Sequence, residues 1–160
     1  MSGPKPLRPR GLGRLAAGPR LGKLRDMSES ASNLSIEYAT SERGTHCFRC
    51  TGEIDIHTAP QLEQAIDQVL AKGAQRIAVD LEAVTYIASA GVGLFVGNVN
   101  ELKERGGGLV IVYSRHADAL EGQTAMSEGY DVLQVFTLLG LDGVVPVVRD
   151  FDAAEAALGS

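Results

Sequence analysis

The chain has 160 residues, is 44% hydrophobic and 5% aromatic with no Trp, and carries a formal net charge of −5. That length suits one domain with an aliphatic core, and no run of eighteen or more apolar residues is present to make a transmembrane helix. Seven bases against one acid leave residues 1–26 at +6, and eight bases against nineteen acids leave the remainder at −11. An acidic body of this kind argues against nucleic acid as its partner and for a basic protein surface.

Residues 1–32 are rich in Gly, Pro, Arg and Ser without a sustained apolar period, and read as a disordered basic arm with no apolar run long enough for a secretory signal. Met27 is an alternative start, and residues 1–26 are expected to be dispensable. Residues 33–160 form the domain. Alternation at Leu34, Ile36 and Tyr38 predicts a strand over 34–40, Gly44 a turn, and 45–51 the second strand of a hairpin. Cys47 and Cys50 form C-F-R-C, which suits a zinc half-site or redox pair. Two buried thiols on opposite sides of a strand is the stronger alternative, since no second ligand pair exists. Thr58-Ala59-Pro60-Gln61 predicts a helix start, with Thr58 as N-cap and Gln61 completing a capping box. Leu62, Ala65, Ile66, Val69 and Leu70 give its buried face, and Gly73 ends it.

A third strand is predicted over 76–81. A helix follows whose first residue is Ser89, with Val92, Phe95, Val96, Val99 and Leu102 on one face and Gly106 as its stop. Ser89 is also the expected N-cap. Gly91 and Gly93 each cost about 1 kcal/mol of helix propensity, so both are expected to permit close approach by a neighbour or an anion. G93-x-x-x-G97 likewise suggests close packing, and Asp80 a residue that orders the adjoining loop. A fourth strand lies over 109–113, followed by a long polar connection over 114–131. Val132, Val135, Phe136, Leu138 and Leu139 predict a short amphipathic helix stopped by Gly140. A last strand over 144–148 and a helix over 151–158, started by Asp150 with Ala154 and Leu158 inward, complete the chain. The order implies an α/β fold, a small mixed β-sheet of four to five strands packed against about four helices.

Catalysis finds little support. I87-A-S89-A-G91 places a Ser between strand and helix, yet the nucleophile elbow wants Gly where Ile87 stands, and the one downstream His is His116. His46 and His57 read as isolated surface or loop residues. No phosphate loop or dinucleotide fingerprint occurs, and no enzyme activity, cofactor or metal is expected.

G52-E-I-D-I-H-T-A-P60, V79-D-L-E-A-V-T-Y-I-A-S89-A-G-V-G93 and L138-L-G-L-D142 together resemble the STAS domain, and more specifically bacterial anti-sigma factor antagonists, over about residues 34–158. The resemblance implies a cytoplasmic STAS fold that binds an anti-sigma factor of the serine-protein kinase type and so releases a sigma factor. It also implies phosphorylation at Ser89, reversed by a serine phosphatase, with Glu53, Asp55, Thr58, Ala88, Ala90, Gly91 and Val92 forming the partner surface. Neither direct nucleic-acid binding nor membrane association is implied. Phosphorylated members usually show Asp-Ser-Ser-Gly or Asp-Ser-Thr-Gly, whereas this chain has Ala88-Ser89-Ala90-Gly91. The alternative is a non-phosphorylated scaffold subunit of a larger regulatory or transport assembly.

Overall fold

Aliphatic residues at every second position pair into a mixed sheet. The computed structural model describes residues 25–26, 33–114, 132–141 and 143–159. β1 (Arg25–Asp26), β2 (Leu34–Thr40) and β3 (His46–Ile54) are antiparallel neighbours. β4 (Arg76–Ile87), β5 (Gly108–Val112) and β6 (Val147–Val148) follow in parallel with β3, so the strand order across the sheet is the order in the chain. The helices are α1 (Ala59–Ala71), α2 (Ser89–Glu104), α3 (Gln134–Leu138) and α4 (Phe151–Leu158).

Among the described residues, five strands and four helices give the expected architecture, and β1 adds a two-residue sixth strand at the edge of β2. It falls within the stretch read as a disordered arm. Main-chain pairing of Arg25 with Tyr38 and of Asp26 with Glu37 requires no apolar pattern, so the composition carried no sign of it. The remainder of 1–32, Met27 included, lies outside the described residues.

The larger core layer joins Ile36, Phe48, Cys50, Ile77, Val79, Leu81 and Ile111 of the sheet to Leu62, Ile66, Phe95, Val99 and Phe136. α1 starts where predicted, but its cap differs. The Thr58 hydroxyl donates to Glu53 O at 2.7 Å and so is taken from the helix, while Gln61 Nε2 reaches Leu34 O at 3.2 Å instead of closing a capping box. α3 turns Phe136 toward Phe95, ring centroids 6.5 Å apart, and leaves Leu138 and Leu139 exposed, contrary to the amphipathic reading. With only five residues before the turn at Gly140, one apolar side of α3 meets the core. The last strand shrinks to Val147–Val148 behind Pro146, which has no N–H to give.

A smaller layer on the opposite sheet face packs Cys47, Ala78, Val110 and Val112 under Phe151 and Ala154 of α4. Asp150 caps that helix as predicted, its Oδ1 accepting from Ala153 N at 2.8 Å. Two polar contacts lie here: Thr45 donates to Glu155 Oε1 at 2.8 Å, and Arg49 forms an ion pair with Glu37. Cys47 and Cys50 are buried in separate layers, and burial pushes both thiols well above the usual range. Among the described residues no cluster of His, Cys, Asp and Glu is arranged to hold a metal ion. No helix there is long and apolar enough to cross a membrane.

His46 opens β3 with its Nδ1 2.7 Å from the Tyr38 hydroxyl. Burial, then Lys72 and Arg76, lower its pKa from the usual 6.5. The unfolded chain therefore takes up a proton more readily than the folded one. The stability contributed by neutral His46 is complete above pH of about 6.5 and is lost as pH falls toward the folded pKa. We expect the melting temperature to decline between pH 7.5 and 5.5, and His46→Gln to flatten that decline, as read by calorimetry across the range.

Candidate functional site

β3 and β4 run together beyond the end of β5. Glu53 pairs with Tyr86 and Ile54 with Ile87, whereas the pairing of β4 with β5 ends at Asp80 and Val112. Both chains then turn at one end of the sheet, and Ala88 N donates to Ile54 O at 2.8 Å to fasten the two turns together.

On the β3 side, residues 55–58 are held by their own polar groups. Asp55 Oδ1 accepts from His57 N at 2.9 Å and Thr58 N at 3.0 Å, and Asp55 O accepts from Ala59 N at 2.8 Å. Thr58 Oγ1 accepts from Asp55 N at 2.9 Å while donating to Glu53 O. The N–H of His57 and then that of Thr58 hold the Asp55 carboxyl below the usual carboxylate range. Asp55 thus orders this loop, whatever else it contacts.

On the β4 side the strand passes into α2 through a single residue. Ala88 is extended, φ −92° and ψ 173°, and its carbonyl accepts from Gly91 N at 2.9 Å and Val92 N at 3.2 Å. Ala88 is therefore the N-cap and Ser89 the first helical residue, which corrects the cap assignment. The residue that leaves a strand directly for a helix is the one with extended geometry, and here that residue has no side chain able to cap. Ser89 is exposed at the helix N-terminus, its hydroxyl not engaged as a cap.

The structure brings Glu53, Asp55, Ala88 and Ala90, all half-buried, to the same end as Ser89. Thr58, Gly91 and Val92 are at this end too, but they are buried and shape the turn rather than present themselves to a partner. Val92 lies on the core face of α2. A Cβ on Gly91 would stand 2.7 Å from Ile54 Cγ2 and 3.0 Å from Ile87 Cγ2, so the close approach is real at this position. At Gly93 and Gly97 a Cβ meets nothing within 4 Å, which overturns close packing there. These two glycines lie one and two helical turns beyond Ser89, on the solvent side.

Buried Asp80 accepts from Glu82 N at 2.8 Å, an ordering role within β4, and the Glu82 carboxylate accepts from Ser114 N at 2.6 Å. His116 and the connection beyond Ser114 lie outside the described residues. Two exposed side chains at this end were not singled out from sequence, Ile56 and Tyr86. The available signal was an isolated Ile between Asp55 and His57 in an otherwise polar loop.

Fold and site together define a small α/β domain that presents one rigid, hydroxyl-bearing end. The STAS domain family matches residues 38–119, just over half of the chain. The chain belongs to the STAS domain family. It is 38% identical over 72 residues to an anti-sigma-B factor antagonist of Staphylococcus aureus, covering 45% of this chain and 66% of that protein, just short of two thirds. It is 34% identical over 79 residues to the anti-sigma-B factor antagonist of Listeria monocytogenes, covering 49% and 69%. Among solved structures, an anti-sigma factor antagonist from Mycobacterium paratuberculosis is similar at a TM-score of 0.63 and 25% identity, covering 82% of this chain and 98% of that one. The anti-sigma factor antagonist SpoIIAA in its unphosphorylated form is similar in fold at a TM-score of 0.53 and 20% identity, covering 84% and 96%.

Gly91 and Gly93 separate cleanly by experiment. Gly91→Ala should lower stability by about 1–3 kcal/mol, because the methyl group is forced against two buried Ile side chains. Gly93→Ala should raise it by up to about 1 kcal/mol through helix propensity alone. Urea denaturation midpoints check both signs.

Proposed function

We propose that this chain is an anti-sigma factor antagonist: it binds an anti-sigma factor that is also a serine kinase, releases the sigma factor, and is switched off by phosphorylation at Ser89. The observation that carries this reading is the position of Ser89, exposed at the start of α2, not used as a cap, and fastened beside the acidic Glu53–Asp55 loop through Ala88 and Ile54. The named relatives support the class of partner. The acidic body supports a basic face on that partner.

A phosphate on Ser89 adds roughly −1.5 to −2 charges. The helix tolerates it, because the first-turn N–H groups and the dipole favour an anion. The partner interface does not, because a dianion has to be desolvated there beside Glu53 and Asp55. The missing acid at Ala88 leaves the helix start uncapped without blocking access, since the residues flanking Ser89 are both small.

Full-length protein incubated with the cognate anti-sigma kinase and ATP should gain one phosphate by intact mass, and Ser89→Ala should gain none. Since the Ser89 hydroxyl makes no cap, Ser89→Ala should stay within about 0.5 kcal/mol of the unaltered protein in stability and retain binding. Ser89→Asp should match or exceed the original stability by up to about 1 kcal/mol, because its charge faces the helix N-terminus, and should lose binding. No phosphate uptake, together with undiminished binding by Ser89→Asp, would instead establish the constitutive scaffold.

A further inference from the structure

Ile56 is 71% exposed and Tyr86 45%. Register places both at the Ser89 end: Tyr86 pairs with Glu53, and Ile56 and Ser89 each follow by two residues the paired positions Ile54 and Ile87. Among the described residues, the other large apolar side chains exposed in this way are Leu138 and Leu139.

An exposed Ile by itself needs no explanation. Ile56 differs in its mounting. The backbone on both sides of it is fixed by Asp55 and Thr58: Asp55 N donates to the Thr58 hydroxyl, and His57 N and Thr58 N donate to the Asp55 carboxylate. A loop tied in this way holds its apolar tip in water without being able to fold it away. Binding through that tip therefore carries little ordering cost.

The geometry points to Ile56 as the apolar anchor of the partner interface, entering an apolar pocket with a basic rim on the anti-sigma factor. This rests on the function proposed above. The Ile side chain selects the pocket. The Glu53 and Asp55 carboxylates beside it, on a body whose charge is −11 outside the arm, select the rim. Ser89 then acts on the same anchor. A phosphorylated Ser89 places a hydrated dianion at the edge of the contact that has to exclude water for Ile56 to contribute.

The test uses the full chain, Ile56→Ala, Ile56→Leu and Ser89→Asp, each titrated against the purified anti-sigma factors encoded in the source genome, with melting temperatures measured alongside. Ile56→Ala should melt with the unaltered protein and bind about 10- to 100-fold more weakly, mostly through faster dissociation. Ile56→Leu should remain within about threefold, because the apolar volume is kept. Ile56→Ala combined with Ser89→Asp should lose less than the product of the two separate losses, since both act on one contact. If the unaltered protein binds a factor and Ile56→Ala binds it within twofold as tightly, the anchor is wrong and the proposed function stands. If the unaltered protein binds none of them, the proposed function fails and the anchor with it.

Discussion

The site depends on the parallel pairing of β3 with β4 carried beyond the rest of the sheet. Up to Asp80 the β4 strand has neighbours on both sides; from Ala83 to Ile87 the described pairing is with β3 alone. Register shifts between Arg49 and Thr51 and between Gly52 and Glu53 bring the two strands to their turns together. Gly52 absorbs one of these at φ 116°, a left-handed value that other residues rarely adopt. Below the turns, buried Ile54 and Ile87 close over Gly91, so the two connections rest on one apolar floor. The Ala88 to Ile54 hydrogen bond is the last rung of that ladder. Loop and helix start are positioned by the sheet, and neither needs a long side chain to reach the other.

Periodicity made most of this fold legible. Alternation located the strands, three- and four-residue spacing located α1 and α2, and Asp150 announced α4. What sequence could not show was decided by competition for hydrogen bonds and by solid geometry. The Thr58 hydroxyl has one proton, and Glu53 O takes it, so a recognisable capping pattern is spent inside a loop. Ser89 is a good capping residue one position too late, because β4 runs further than its apolar alternation suggests. Gly91 and Gly93 look equivalent in the sequence, but two residues along a helix is about 200° of rotation. One therefore faces Ile54 and the other faces water. Leu138 and Leu139 fit an apolar period, yet α3 ends too soon to bury them. Ile56 was passed over because a single apolar residue has no period.

Charge is partitioned with equal economy. Arg49, only 4% exposed, is answered by Glu37 on the neighbouring strand, a registered cross-strand pair within the sheet. Burial lowers the Arg49 pKa while the Asp80 carboxylate opposes that effect. Glu155 brings a carboxylate under α4, one oxygen of which accepts from the Thr45 hydroxyl. These pairs lie on the face opposite the main core, where Glu37 and Arg49 adjoin the apolar layer that runs from Cys47 to β5. Removing Glu37 would leave buried Arg49 without its ion-pair partner, and removing Thr45 would leave buried Glu155 without its donor, which costs more than either pair itself contributes.

The two thiols have a practical consequence. Cys47 is sealed beneath α4, and Cys50 is sealed on the opposite side of the same strand, in the layer that α1 and α2 cover. Neither is open to an alkylating reagent while its layer is closed, because both side chains are buried. Each layer therefore carries its own native reporter. The order in which the two sulfurs become alkylated records whether the terminal helix lifts before the main core opens, and residue-resolved mass spectrometry reads that order without any label being engineered into the chain.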